Sequence, residues 1–203
     1  MLLAVVIGPP AAAGAVRQAD DLHRPLDEIL DIYVRDGFVY YRALQIERGR
    51  LDRYVGSLDV SSTVYAAWSR EQQMAFWINL YNAYTVKLVL DHYPVGSIRQ
   101  VPAGRGPSLA AMFRFDTWAS LILGGPWATP LVTVEGERLS LNDIEHRILR
   151  PGWRDPRIHY AVNCASMSCP NLSPVAYTAD NLEALLEEGA RAYVNHPRGA
   201  HAD

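Results

Sequence analysis

The sequence predicts an α+β fold in which a buried central helix packs on a small, mainly antiparallel sheet. Residues 69–91 place apolar side chains all round a helical axis, Phe76, Trp77, Ile78, Leu80, Tyr81, Val86, Leu88 and Leu90 among them, and a helix greasy on every side is buried. Short strand candidates at 38–44, 131–135 and 158–163 supply the β part. Amphipathic segments at 25–35, 51–58 and 177–194, and a capped helix from Leu141, supply the remaining helices.

In chain order, Pro25 opens a helix through Arg35 with Leu26, Ile29, Leu30, Tyr33 and Val34 at helical spacing, and Gly37 closes it. The aromatic stretch 38–44 reads as a short strand, and Leu51, Tyr54, Val55 and Leu58 as an apolar stripe facing the core. Ser69 and Gln72 form a capping box at the start of the central helix, and Pro94 stops it. Residues 96–130 are rich in Gly and Pro and read as ordered loops with one short helix near 109–113. Strand 131–135, a turn at Gly136 and residues 138–140 make a two-stranded ribbon. Ser140 then caps a helix that carries Asp143 in its first turn and ends at Pro151. Residues 158–163 alternate, so a strand would put His159, Ala161 and Asn163 on one face. The last helix, 177–194, ends before Asn195 and Pro197.

Length and charge limit the function classes. The 203 residues suit one domain, taken as residues 20–203, and 49% apolar against 20% charged residues is the balance of a folded globule. A net charge of −3 with dispersed cations leaves no basic surface for nucleic acid. The longest apolar run, residues 1–7, is far shorter than the roughly 20 residues of a transmembrane helix. Followed by Gly8-Pro9-Pro10 and the Ala13-Gly14-Ala15 triplet, it reads as a signal or leader over residues 1–15, which predicts export to a periplasmic or extracellular location.

Candidate functional residues fall in two places. On the central helix, Asn79 and Asn82 lie about 60° apart in an otherwise apolar arc, so two amides sit at depth, either tying loops to the core or lining a site. On the helix after Ser140, Glu145 falls inside the apolar arc, with His146 at its margin. A carboxylate there needs a cationic or hydrogen-bonding partner. The two cysteines, Cys164 and Cys169, make a C-x4-C pair that reads as a small-loop disulfide in an exported protein, as buried thiols in a reducing one, or as a reactive thiolate. If the strand before Cys164 ran on, Cys164 and His159 would lie on opposite faces about 16 Å apart. A dyad therefore requires the chain to turn at Cys164, and Ala165-Ser166-Met167-Ser168 is short and polar enough to turn.

The string Asp155-Pro156-Arg157-Ile158-His159-Tyr160-Ala161-Val162-Asn163-Cys164-Ala165-Ser166-Met167-Ser168-Cys169-Pro170 resembles the signature of the domain of unknown function 547 family. So do Ala75-Phe76-Trp77-Ile78-Asn79-Leu80-Tyr81-Asn82-Ala83 and Ile144-Glu145-His146, in the same order. Members of that family usually continue past the last helix, so the resemblance implies a chain truncated at its C-terminus. A buried central helix followed by a histidine strand is also similar to the papain and transglutaminase-like architecture, in which a cysteine starts the central helix, although here that helix carries Asn79 and Asn82 and no cysteine.

Two functions follow from these residues. In a thiol-dependent hydrolase or acyl transferase, Cys164 would attack a peptide, amide or thioester carbonyl, His159 or His146 would act as base, and Glu145 would orient the imidazole. In a non-catalytic binding module, Asn79, Asn82, His146, Asn163, Ser166 and Cys169 would border a cleft for a small thiol compound or a peptide, with a disulfide stiffening its rim. No cofactor is expected. A metal held by His146, His159, Cys164 and Cys169 is a weaker third reading because the cysteine spacing is not that of common zinc sites.

Overall fold

The computed structural model describes residues 11–101, 125–166 and 169–197. The helix expected near 109–113 and residues 1–10 of the expected leader lie outside them. The first helix, α1 (Ala11–Tyr33), starts well before the expected position and carries Pro25 inside it. An internal proline removes a hydrogen bond and crowds the preceding turn. Ala19 and His23 nevertheless continue the buried stripe of Leu26, Ile29 and Leu30, so packing holds the helix together on both sides of the proline.

The aromatic stretch that follows is mostly helical. Only Phe38–Val39 (β2) is a strand, paired antiparallel with Val34–Arg35 (β1). Asp36 and Gly37, at φ 52° and 78°, make the turn between them, as tight hairpins require. Helices α2 (Tyr41–Ile46), α3 (Arg48–Gly56) and α4 (Ser62–Ala66) come next, and α3 buries Leu51, Tyr54 and Val55 as the stripe predicts. The central helix α5 (Arg70–Asp91) has the expected capping box, the Ser69 and Gln72 side chains each accepting the other residue's N–H. Its residues 74–83 are all buried, and α1, α3 and the helix after Ser140 pack around it. The Tyr93–Pro94 peptide beyond it is cis.

Strands β3 (Pro130–Val134) and β4 (Glu137–Ser140) form the second antiparallel ribbon, turned at Glu135 and Gly136. Ser140 and Asp143 make a reciprocal capping box for the helix that follows, α6, spanning residues 141–153. This helix is α-helical over Leu141–Asp143, π-helical over Ile144–Leu149 and α-helical again over Arg150–Trp153. It does not end at Pro151. The π stretch lies beside that proline, whose ring would crowd the Arg147 carbonyl of a regular α-helix.

The histidine strand is a correction. Ile158–Ala161 is a helical turn, α7, and the chain becomes extended at Val162. The Asp155 carboxylate accepts the Arg157 N–H at 2.8 Å, and the backbone N–H groups of Ile158, His159 and Tyr160 close turns onto residues 155–157. Those local bonds satisfy the backbone where no neighbouring strand pairs with it. Helix α8 (Leu182–Val194) starts later than expected because residues 178–181 form their own turn, with the Thr178 and Asn181 side chains each capping the other's N–H. The fold is α+β, mainly helical with two small antiparallel ribbons. No helix among the described residues is long and apolar enough to cross a membrane.

Candidate functional site

Asn79 and Asn82 project from α5 into the interior, and both grip backbone. Asn79 donates to the Tyr177 carbonyl at 2.7 Å and accepts the Tyr177 N–H at 2.9 Å. Asn82 donates to the Ala161 carbonyl and accepts the Asn163 N–H, each at 2.9 Å. A primary amide offers a donor and an acceptor side by side, so it pairs with a chain segment as a neighbouring strand would. Asn163 passes the tie onward, accepting the Ala165 N–H at 2.8 Å and donating to the Pro170 carbonyl at 2.7 Å. That bond holds Ala165 in the left-handed region, at φ 56°, where a residue with a Cβ needs local support.

The chain therefore does turn at Cys164. Cys164 and Cys169 are joined in a disulfide across Cα atoms 6.1 Å apart, and the Cys169 N–H donates to the Ser166 carbonyl at 2.9 Å. The Trp127 indole N–H reaches the Cys164 carbonyl at 3.3 Å. Asn82 thus ties the start of this loop to the central helix, and Asn163 and the disulfide join its two ends.

Glu145 has the cation that its burial demands. Its carboxylate, 12% exposed, accepts from Arg150 Nη2 at 2.7 Å and from Nε at 3.2 Å. The buried Tyr81 hydroxyl of α5 also donates to it, and Tyr81 is pushed well above the usual phenol range by burial first and by the Glu145 charge second. The pairing depends on the π stretch. Five residues along an α-helix are separated by about 140°, whereas the i→i+5 bond from the Arg150 N–H to the Glu145 carbonyl brings the two round to the same side of the helix. No periodicity in the sequence announces that change, which is why Arg150 escapes a reading based on α-helical angles.

Arg150 Nη2 also lies 3.1 Å from His159 Nδ1, while Glu145 Oε1 is 3.9 Å from the same nitrogen. A guanidinium only donates, so Nδ1 presents its lone pair and the ring proton resides on Nε2, a tautomer assigned from the hydrogen bond. Glu145 and His159 are thus brought together, with Arg150 as the bridge between them. No hydrogen bond links His159 to either sulfur among the described residues. His146 is exposed on the outer face of α6. Among the described residues, no three His, Cys, Asp or Glu side chains come together as metal ligands.

Beside the disulfide loop lies a cleft of about 600 Å³. Asn163, Ser166 and Cys169 line one side, and Phe38, Tyr41 and Tyr93 the other. Tyr41 stacks on Tyr93 with centroids 6.3 Å apart, and Phe38 is half exposed. Arg99 contributes a cation. Phe38, Tyr93 and Arg99 escape a sequence reading because they reach one wall from the first hairpin and from the turns after α5, segments with no shared pattern.

A family model described as protein of unknown function, DUF547, matches residues 65–194, the span that holds the three strings quoted for the resemblance. No curated protein and no solved structure matches the chain.

Proposed function

We propose, starting from the fact that this chain belongs to the DUF547 family, that it is a non-catalytic binding module that holds a short peptide in the cleft beside its disulfide. The observation that carries the reading is the joined Cys164–Cys169 pair, pinned by Asn82 and Asn163 on one wall of an aromatic cleft. A disulfide wall facing aromatic side chains provides apolar contact at low ordering cost, and Arg99 suits a terminal carboxylate. Export is part of the proposal, since such a disulfide persists in an oxidising compartment.

The test is a titration with the tripeptide Leu-Phe-Leu, carrying a free or an amidated C-terminus, followed by backbone amide shifts. The expected result is saturable movement at Gly37, Gly96 and Ser166, weaker for the amidated peptide and lost in a Phe38→Ser/Tyr93→Ser variant. Unmoved cleft amides would remove the proposal.

A second reading, thiol-dependent acyl chemistry at reduced Cys164, draws on the 3.9 Å approach of Glu145 to His159. Against it stands the Arg150 contact, which leaves Nε2 protonated and so unable to accept a thiol proton. Rapid iodoacetamide labelling of Cys164 in reduced protein, abolished by His159→Ala, would favour this reading over the binding module.

A further inference from the structure

A second cavity, of about 320 Å³, lies between α4, the first half of α5 and the β3–β4 ribbon. The rings of Tyr65, Phe76 and Trp77 line it, and Glu135 and Glu137 stand at its rim. The rings are steeply inclined to one another, at 70° for Tyr65 and Trp77, 63° for Tyr65 and Phe76, and 76° for Phe76 and Trp77. Their centroids are 5.3 to 6.2 Å apart. Rings set at such angles meet edge to face, and an aromatic face attracts cations.

The polar groups of this wall are already engaged. The Trp77 indole N–H donates to the Tyr65 hydroxyl at 2.9 Å. Glu135 is fixed at both ends, its carboxylate accepting the Ser62 N–H and its own N–H donating to Asp59 at 2.9 Å. Glu135 and Glu137 therefore stand at this end of the ribbon, with Asp59 bonded to the Glu135 N–H. The neighbouring cations have other partners. Arg147 pairs with Asp143 at 2.9 Å while also feeling the Glu137 charge, Arg138 donates to the Pro130 carbonyl at 3.2 Å, and Arg70 lies over the Trp153 ring.

We infer that this cavity binds a small organic cation whose nitrogen is fully alkylated. A primary ammonium carries three N–H donors, which the rim carboxylates meet only in part and an aromatic face not at all. A quaternary nitrogen has no such need. It presents methyl groups to the rings and its charge to the carboxylates, and 320 Å³ leaves room for a choline-sized group. This site is separate from the peptide cleft and does not depend on it.

Choline chloride is the probe, titrated into the full chain against 3,3-dimethylbutan-1-ol, its uncharged carbon counterpart, and ethanolamine, its primary-amine counterpart. Tryptophan fluorescence and the indole N–H resonance of Trp77 report binding. Choline is expected to bind saturably and about tenfold more tightly than either counterpart, the scale of a partly desolvated cation over aromatic faces. Glu137→Gln, an exposed and conservative change, should weaken choline several-fold and leave the alcohol unaffected. Tyr65→Leu, checked for folding by circular dichroism, should erase the preference for choline. Equal affinity for choline and the alcohol, tighter binding of ethanolamine, or an unchanged choline affinity in Glu137→Gln would each overturn the assignment.

Discussion

Lowering the pH should destabilise this protein through one buried histidine. His23 is 3% exposed on α1, and its Nδ1 lies 2.8 Å from the Tyr54 hydroxyl. Burial lowers its pKa from 6.5 to about 4. Tyr54 is itself pushed well above the usual phenol range by burial, so it stays a neutral donor. Between these two values the unfolded chain holds a proton that the folded chain refuses. Stability is therefore complete above about pH 6.5 and is lost as the pH falls towards about 4. The gap between 6.5 and about 4, at about 1.4 kcal/mol per pH unit, comes to about 3 kcal/mol. That is a large part of the 5–15 kcal/mol by which an ordinary domain is stable, roughly. The comparison variant is His23→Gln, which keeps an acceptor for Tyr54 and cannot titrate. Urea unfolding of both proteins at half-unit steps from pH 7 to pH 4 gives the difference directly, because every other group cancels. Asp143, which hydrogen bonds from Ser140 hold down at about 2, acts only below the ordinary carboxylate range and lies outside this window. The variant should gain on the wild type by about 3 kcal/mol across the series. A difference that stays constant from pH 7 to pH 4 would show that His23 protonates as freely in the folded chain as in the unfolded one, and the reasoning would fail.

Other consequences follow from the site. Asn82→Leu should fill the same space and leave the Ala161 carbonyl and the Asn163 N–H without their partner, costing about 2–5 kcal/mol by denaturant unfolding. Hydrogen exchange at Asn163 and Ala165 should rise with it, whereas a loss of stability with unchanged exchange there would separate the amide from the loop. Arg150→Met should cost about 1–3 kcal/mol, because it strips the buried Glu145 of its cation. It should also release the His159 tautomer, so the nitrogen shifts of the neutral ring should move away from the Nε2-protonated pattern. An unchanged pattern would mean that Arg150 does not set the tautomer.

Local chemistry was readable from the chain itself wherever a few adjacent residues decide the outcome. Ser69 with Gln72 and Ser140 with Asp143 cap their helices because the bonds span only three residues. The all-round apolar surface of 69–91 could only be buried, and a carboxylate on the greasy side of α6 had to find a partner. Order along the sequence also sufficed to place the motifs within their family.

Tertiary structure decided which partner each group found. The alternation at 158–163 suggested a strand, but hydrogen bonds from Asp155 and the amide of Asn82 satisfied that backbone in a helical turn that becomes extended at Val162. Arg150 met Glu145 only because the helix widened by one residue per hydrogen-bonded turn, a change with no counterpart in apolar periodicity. The two cysteines met because Asn163 held Ala165 at a positive φ, and the aromatic walls of the cleft came from segments more than fifty residues apart. Periodicity records which side of an element leaves water; it carries no record of what waits there, since that depends on contacts between residues far apart in the chain.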